Sequence, residues 1–144
     1  MPNTPISVGE GILICENAHS LSDAEMDTFR QIFSSIALVQ MVDTSQLSVA
    51  GTLAGCGPAF TSMFLEALAD GAVKQGLARD VSYRLASQMV AGTAKLQLES
   101  GAHPGAMKDA VCSPGGTTIV GVAALERRGF RSSVIDAIDA IESR

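Results

Sequence analysis

The hydrophobic pattern of the chain changes near residue 45, and this change constrains the fold more than any other feature. Upstream, residues 12–15 and 37–42 form short apolar runs that are typical of buried strands. Between them, Ser22 followed by Glu25 predicts the start of a helix through a capping box. We therefore expect a strand, a helix and a strand in residues 1–45, which is too little for an independent α/β domain.

Downstream of residue 45 the apolar residues recur at helical spacing, so residues 46–144 predict a separate, all-helical domain. The segment Gly55-Cys56-Gly57 is typical of a turn, with Pro58 in the first turn of a helix that ends at Gly76. Further helices are predicted over residues 80–100, from Pro104, over residues 119–128 and over the C-terminal residues. The acidic residues of the last helix are expected to be solvated; they are Asp136, Asp139 and Glu142.

Several predicted helices are apolar around most of their circumference, as in residues 65–69 and 89–94. A bundle of about 100 residues has too little interior to bury that much apolar surface. The sequence therefore indicates a helical interface between subunits, and we expect a homodimer or a higher homo-oligomer.

Composition and charge exclude several classes of partner. The net charge is -5 and the basic residues are scattered, so neither nucleic acid nor an anionic membrane surface is expected as a partner. No apolar run is long enough to span a bilayer and residues 1–5 lack the features of a signal peptide, which makes the cytoplasm the expected compartment. Cys15, Cys56 and Cys112 are not spaced for a disulfide framework or a zinc site, so free thiols and no bound metal are expected.

The segment Ser113-Pro114-Gly115-Gly116-Thr117-Thr118 is the strongest candidate for a binding site. Pro114 restricts Ser113 to an extended conformation, and the two glycines leave backbone N–H groups uncovered at the start of an apolar helix. Such a helix start attracts a carboxylate or a phosphate without any Lys or Arg. From the residues alone, however, an ordinary capped helix after a glycine-rich turn is the favoured explanation.

Other polar positions give weaker signals. His103 precedes Pro104 and is expected to cap a helix, and His19 lies far from it in sequence, so neither is assigned as a catalytic base. Lys108 and Asp109 precede the loop and form either a surface ion pair or a support for it. No Gly-x-Gly-x-x-Gly turn joins a strand to a helix, so the chain is not expected to hold a whole dinucleotide.

Six blocks of sequence together resemble the pyrroline-5-carboxylate reductase family. They are Met1-Pro2-Asn3-Thr4-Pro5, Gly55-Cys56-Gly57-Pro58-Ala59-Phe60, Glu66-Ala67-Leu68-Ala69-Asp70-Gly71, Leu98-Glu99-Ser100-Gly101, His103-Pro104-Gly105 and Lys108 through Thr118. The resemblance covers nearly the whole chain, and residues 113–118 are its most specific element. It departs at Cys56, where many members carry serine, and at Cys112, which would make the loop sensitive to oxidation.

The resemblance implies a mainly helical protein with a helical-bundle dimerisation domain over residues 46–144, similar to the C-terminal domain of 6-phosphogluconate dehydrogenase. Residues 1–45 would be the closing strand, helix and strand of a Rossmann-type NADPH-binding domain. Members of the family reduce 1-pyrroline-5-carboxylate to L-proline by hydride transfer from NADPH or NADH, the last step of proline synthesis. Most of the cofactor would be bound by a domain that is absent from this chain.

The resemblance also implies the site residues. Asn3, Thr4 and Pro5 would lie near the nicotinamide and bind the cofactor. The hydroxyl of Thr118 would approach the imine nitrogen, which makes it the candidate catalytic residue. The residues expected to bind the substrate are Lys108, Val111, Ser113, Pro114, Gly115, Gly116, Thr117 and Thr118.

Two other functions stay open at this point. A non-catalytic helical oligomerisation module would share the fold and would lack the dinucleotide cradle. A phosphate- or nucleotide-binding module unrelated to proline would rest only on the glycine-rich helix start.

Overall fold

The computed structural model describes residues Met1–Arg144 and is mainly helical, as the sequence predicts. In chain order the elements are a 3-10 helix Thr4–Val8, β1 Gly11–Glu16, α1 Asp23–Phe33, β2 Ala37–Val42, a 3-10 helix Thr44–Gln46, α2 Leu47–Lys74, α3 Arg79–Ser100, α4 Pro104–Ala110, α5 Thr117–Arg127 and α6 Phe130–Glu142. The predicted strand, helix and strand are therefore confirmed, and helices make up the rest of the chain.

The helix α1 connects β1 and β2, which pair in parallel along their whole length. At its start the N–H group of Ser22 donates to Glu25 Oε2 at 2.8 Å, and the N–H group of Glu25 donates to Ser22 Oγ at 3.4 Å. These reciprocal bonds are the capping box that the sequence predicts. They fix the point at which the chain leaves β1 and enters α1.

Residues before β1 pair with its second edge. The N–H group of Ile14 donates to the carbonyl of Met1 at 3.0 Å, and Pro2 forms an isolated antiparallel bridge with Leu13. The strand β1 thus has hydrogen-bonded neighbours on both sides. Its residues Leu13 and Ile14 are accordingly among the few buried apolar residues of the chain.

The turn predicted at Gly55-Cys56-Gly57 is wrong. The structure has one continuous helix, Leu47–Lys74, and Pro58 lies inside it rather than in its first turn. Gly-x-Gly-Pro usually marks a boundary because glycine costs backbone entropy in a helix and proline removes a hydrogen bond.

Two features allow the helix to continue through Pro58. Proline has no N–H group for the carbonyl of Ala54, and Asn3 Nδ2 donates to that carbonyl at 3.1 Å instead. The residue before the proline is Gly57, which has no Cβ to clash with the proline ring. The replacement donor comes from a segment remote in sequence, so local patterns do not reveal it.

The remaining helices follow the prediction closely. The helix α3 ends at Gly101, whose φ of 63° is in the left-handed region. His103 caps α4, because its Nδ1 accepts from the N–H group of Gly105 at 3.0 Å. The predicted role of this histidine as a helix cap is confirmed.

The chain forms two compact units, one of Met1–Thr61 with Asp136–Arg144 and the other of Ser62–Ile135. The domain boundary predicted near residue 45 stays a prediction.

Each compact unit has its own tertiary contacts. In the first, the hydroxyl of Thr52 donates a hydrogen bond to the carboxylate of Glu142, so the expectation that Glu142 is merely solvated is wrong. In the second, the ring centroids of Phe64 and Phe130 lie 5.8 Å apart, within the range of an aromatic pair.

Large apolar side chains are exposed along the helices. The exposed fractions are 67% for Leu53, 69% for Met63 and 73% for Leu98. The buried apolar residues are few and mostly small; they are Leu13, Ile14, Met26, Ala37, Ala54, Ala69 and Ala86. The chain by itself therefore leaves many large apolar side chains of its helices exposed to water. None of its helices is both long enough and apolar enough to span a membrane.

Candidate functional site

Residues 113–116 form a tight turn directly before α5. The N–H group of Gly116 donates to the carbonyl of Ser113 at 3.0 Å and closes the turn. Pro114 occupies the second position, and Gly115 occupies the third with a φ of 69°, which together are the signature of a type II turn. Because side chains are strained at that φ, the backbone itself requires glycine at residue 115.

The helix α5 begins without a side-chain cap. Its N-cap residue is Gly116, which has no side chain to accept a hydrogen bond from the first helical turn. The N–H groups of Thr117, Thr118 and Ile119 have no acceptor within the chain. The capped start favoured from the residues alone is therefore absent. Free donors at the positive end of a helix dipole make this exposed helix start suited to an anion.

Lys108 lies on α4, shortly before the turn. Its ammonium group forms an ion pair with the carboxylate of Asp109, and the hydrogen bond that it donates to that carboxylate holds the pKa of Lys108 above its ordinary value. The predicted ion pair is confirmed. The Asp109 side chain is 73% exposed whereas that of Lys108 is 33% exposed, so the lysine is the more enclosed partner and stays protonated.

Sequence reasoning missed a second cation near Lys108. The charge of Arg131 opposes protonation of Lys108, which places the two groups within electrostatic range of each other. Arg131 Nε also donates to Glu126 Oε1 at 2.6 Å. No local pattern connects Arg131 with Lys108, because the two residues lie on different helices, α6 and α4.

The residues predicted at the cofactor lie at the first 3-10 helix, in the compact unit that contains Met1–Thr61. Thr4 is exposed and Pro5 is half-buried. Asn3 Oδ1 accepts from the N–H group of Ile12 at 2.9 Å, in addition to the bond from Nδ2 described above. The predicted substrate residues all lie in the other unit, Ser62–Ile135.

A family model described as pyrroline-5-carboxylate reductase dimerisation matches residues 44–144. The chain belongs to this family. The matched residues of the dimerisation domain include Lys108, Val111 and the whole of the 113–118 loop.

The curated relatives that this chain matches are pyrroline-5-carboxylate reductases. The protein of Treponema pallidum is 49% identical over 140 residues, and the match covers 97% of this chain and 53% of that protein. The protein of Pisum sativum is 42% identical over 144 residues, covering 100% of this chain and 53% of that protein. The chain therefore spans about half the length of the curated relatives it matches.

Solved structures agree with the family assignment. A pyrroline-5-carboxylate reductase of Coxiella burnetii has a TM-score of 0.90 at 31% identity, covering 98% of this chain and 53% of that one. The pyrroline carboxylate reductase of Plasmodium falciparum, solved with NADP bound, has a TM-score of 0.86 at 35% identity, covering 98% and 57%. The mainly helical fold predicted from the sequence is confirmed.

The β-α-β unit of this chain does not fit the pyrophosphate of a dinucleotide. The connection from β1 to α1 contains no glycine, and the N–H group of Glu25 at the start of α1 is already bonded to Ser22 Oγ. Hydrogen bonds from the backbone and side chain of Ser22 hold the pKa of Glu25 below its ordinary value, so a negative charge stays at this helix start. A phosphate group would be repelled there.

The chain contains no group of three or more His, Cys, Asp or Glu side chains placed to hold a metal ion. Cys15, Cys56 and Cys112 are free and half-buried.

Proposed function

We propose that the chain is the substrate-binding and dimerisation part of a pyrroline-5-carboxylate reductase, an oxidoreductase of proline biosynthesis. Its substrate is 1-pyrroline-5-carboxylate and its product is L-proline. One observation carries the proposal: the uncapped start of α5 offers N–H donors to a carboxylate, within residues that match the family model.

The loop orients the substrate instead of reacting with it. The N–H groups of Thr117 and Thr118 hold the carboxylate, and the Thr118 hydroxyl contacts the imine nitrogen as its charge changes. Lys108 adds positive potential, and the exposed side chain of Val111 offers an apolar contact. The nicotinamide of NADPH or NADH, when bound, supplies the hydride that reaches the imine carbon. Solvent can set the protonation state of the imine, so no side-chain base is required.

The nicotinamide end of the cofactor would meet Asn3, Thr4 and Pro5. Its pyrophosphate would be held by residues outside this chain, because the start of α1 already carries the Glu25 carboxylate. Three free thiols suit a reducing compartment, which supports a cytoplasmic protein.

The functional assembly is proposed to be a homodimer or a higher homo-oligomer. Exposed side chains such as Leu53, Met63 and Leu98 would be covered by a second copy of the chain. The description of the matching family as a dimerisation domain supports this assembly.

Reductase activity of a chimera tests the proposal. The N-terminal half of the Treponema pallidum reductase is joined to this chain, and NADPH oxidation is followed with 1-pyrroline-5-carboxylate. Turnover is expected, and Thr118→Ala should lower kcat/KM by about 10²-fold, as loss of a preorganised donor does. Thr118→Ser retains the hydroxyl and should keep most of the activity. The unfolding midpoint should not change, because Thr118 is exposed.

Two outcomes of the chimera assay would contradict this proposal. A folded chimera that fails to oxidise NADPH would argue against a reductase. An unchanged kcat/KM after Thr118→Ala would remove the threonine from the site.

A non-catalytic oligomerisation module is the second candidate, and the missing pyrophosphate cradle at the start of α1 favours it. Thermal shifts with ligands separate the candidates. Proline should stabilise the substrate-binding part of a reductase, whereas neither proline nor phosphate should stabilise a purely structural module. Stabilisation by phosphate alone would indicate a phosphate-binding module.

A further inference from the structure

The carboxamide of Asn3 joins three elements. Its Oδ1 accepts from the N–H group of Ile12 in β1 at 2.9 Å, and its Nδ2 donates to the carbonyl of Ala54 in α2 at 3.1 Å. Asn3 is also the N-cap residue of the helix Thr4–Val8, yet its side chain makes no capping bond there. Asparagine is a favourable N-cap, so directing its amide elsewhere gives up part of that local stabilisation.

The carbonyl of Ala54 is the acceptor that Pro58 leaves without an intrahelical donor. In an α-helix each carbonyl accepts from the N–H group four residues later, and residue 58, a proline, has no N–H group. Ala54 is only 9% exposed, so access of water to this region is restricted. A buried carbonyl without a partner is costly, and the Asn3 amide provides the missing donor.

We propose that Asn3 is a positioning residue that connects the segment of Thr4 and Pro5 to α2. It does so through the carbonyl of Ala54, which has no intrahelical donor because residue 58 is a proline. Thr4 follows Asn3 directly. The hydrogen bonds of Asn3 with the backbone of Ile12 in β1 and of Ala54 in α2 restrict the direction in which the 3-10 helix begins. Both polar atoms of the Asn3 carboxamide are bonded within the chain, so the side chain acts on the cofactor through Thr4 and Pro5. This role rests on the proposed function, in which the segment of Asn3, Thr4 and Pro5 meets the nicotinamide.

A double-mutant cycle of Asn3→Asp and Pro58→Ala tests the proposal in the chimera described above. Asn3→Asp retains an oxygen for Ile12 and replaces the donor to Ala54 by a second oxygen. It should raise the KM for NADPH by about tenfold, the scale of one unpaired buried group, with a smaller change in the KM for pyrroline-5-carboxylate. Pro58→Ala restores an N–H group for Ala54, so the same aspartate should then raise the NADPH KM by less than about threefold.

Unfolding midpoints of the four corresponding 144-residue chains give a readout that needs no activity. The fall in midpoint caused by Asn3→Asp should be smaller in the Pro58→Ala background. Ser7→Ala is the matched control, because Ser7 Oγ bonds only to the Thr4 carbonyl within the same 3-10 helix. It should change neither the NADPH KM nor the midpoint by a comparable amount.

Additive effects in both readouts would overturn the proposed link between Asn3 and Pro58. A lowered midpoint with an unchanged NADPH KM would show a purely structural asparagine and overturn its positioning role. An inactive parent chimera would overturn the proposed function and the cofactor role together. In that case, coupled midpoints would still support the link between Asn3, Ala54 and Pro58, so the two failures are distinguishable.

Discussion

At the scale of single residues, Gly116 connects the turn to the uncapped helix. A Cβ at this position would collide with Ser113 Oγ and would lie 3.1 Å from the carbonyl of Ser113. The hydroxyl can rotate away, whereas the carbonyl is fixed by its hydrogen bond from the N–H group of Gly116. The close approach of residues 113 and 116 closes the turn that leads directly into the uncapped start of α5.

Gly116→Ala should therefore open the turn. We expect unfolding to become easier by about 1–3 kcal/mol, typical of overpacking, and protection by proline to weaken. Urea unfolding with and without proline measures both effects. Gly121→Ala is the control on the same helix, because a Cβ there has nothing within 4 Å. An alanine at residue 116 that leaves stability and proline protection at the level of this control would show that the close approach is unimportant.

At the scale of elements, the helices begin and end where local chemistry allows. The start of α1 was predictable from Ser22 and Glu25 alone, since a capping box uses residues within one turn. The course of α2 was not predictable, because the donor that compensates for Pro58 belongs to Asn3. The loop at residues 113–118 could be predicted as a turn and helix start from its own residues, whereas the electrostatic effect of Arg131 on Lys108 depends on the fold.

The capping box should make the stability of the chain depend on pH in a defined direction. Hydrogen bonds from Ser22 lower the pKa of Glu25 in the folded state. The stabilising contribution of Glu25 is therefore complete above the ordinary glutamate pKa and is lost as the pH falls through the lowered value. Glu25→Gln should lower the unfolding midpoint at neutral pH and lose this disadvantage in acid.

Thermal unfolding of both proteins across this pH range is the measurement. Glu10→Gln is the control, because Glu10 is exposed and its carboxylate accepts no hydrogen bond in the chain. A midpoint difference between Glu25→Gln and the parent that does not vary with pH would contradict the role of the charge.

At the scale of the whole molecule, the distribution of apolar surface matters most. Four of the seven buried apolar residues are alanines, and the others are Leu13, Ile14 and Met26. No large side chain is fully buried. Large apolar residues instead cover the outside of the helices, which agrees with a family whose description is dimerisation. The sequence indicated this surface through the helices that are apolar on several sides, but it did not indicate which side chains remain exposed.

Leu98→Glu should therefore weaken self-association. Leu98 lies on α3 and is 73% exposed, so a charge there costs little in the isolated chain. In a dimer that covers it, the buried charge should raise the dissociation constant at least about tenfold. Light scattering at micromolar concentration measures the change, with Gln88→Glu on the same helix as the control. A parent chain that is monomeric under these conditions would contradict the proposed assembly.

The proline inside α2 also has an evolutionary consequence. Pro58 makes the Ala54 carbonyl depend on Asn3, so we expect residues 3 and 58 to change together although they are remote in sequence. A lineage that replaces the proline regains an ordinary helical hydrogen bond and is then free to change the asparagine. A lineage that keeps the proline has no such freedom, and substitutions at residue 3 should survive there only alongside a new donor.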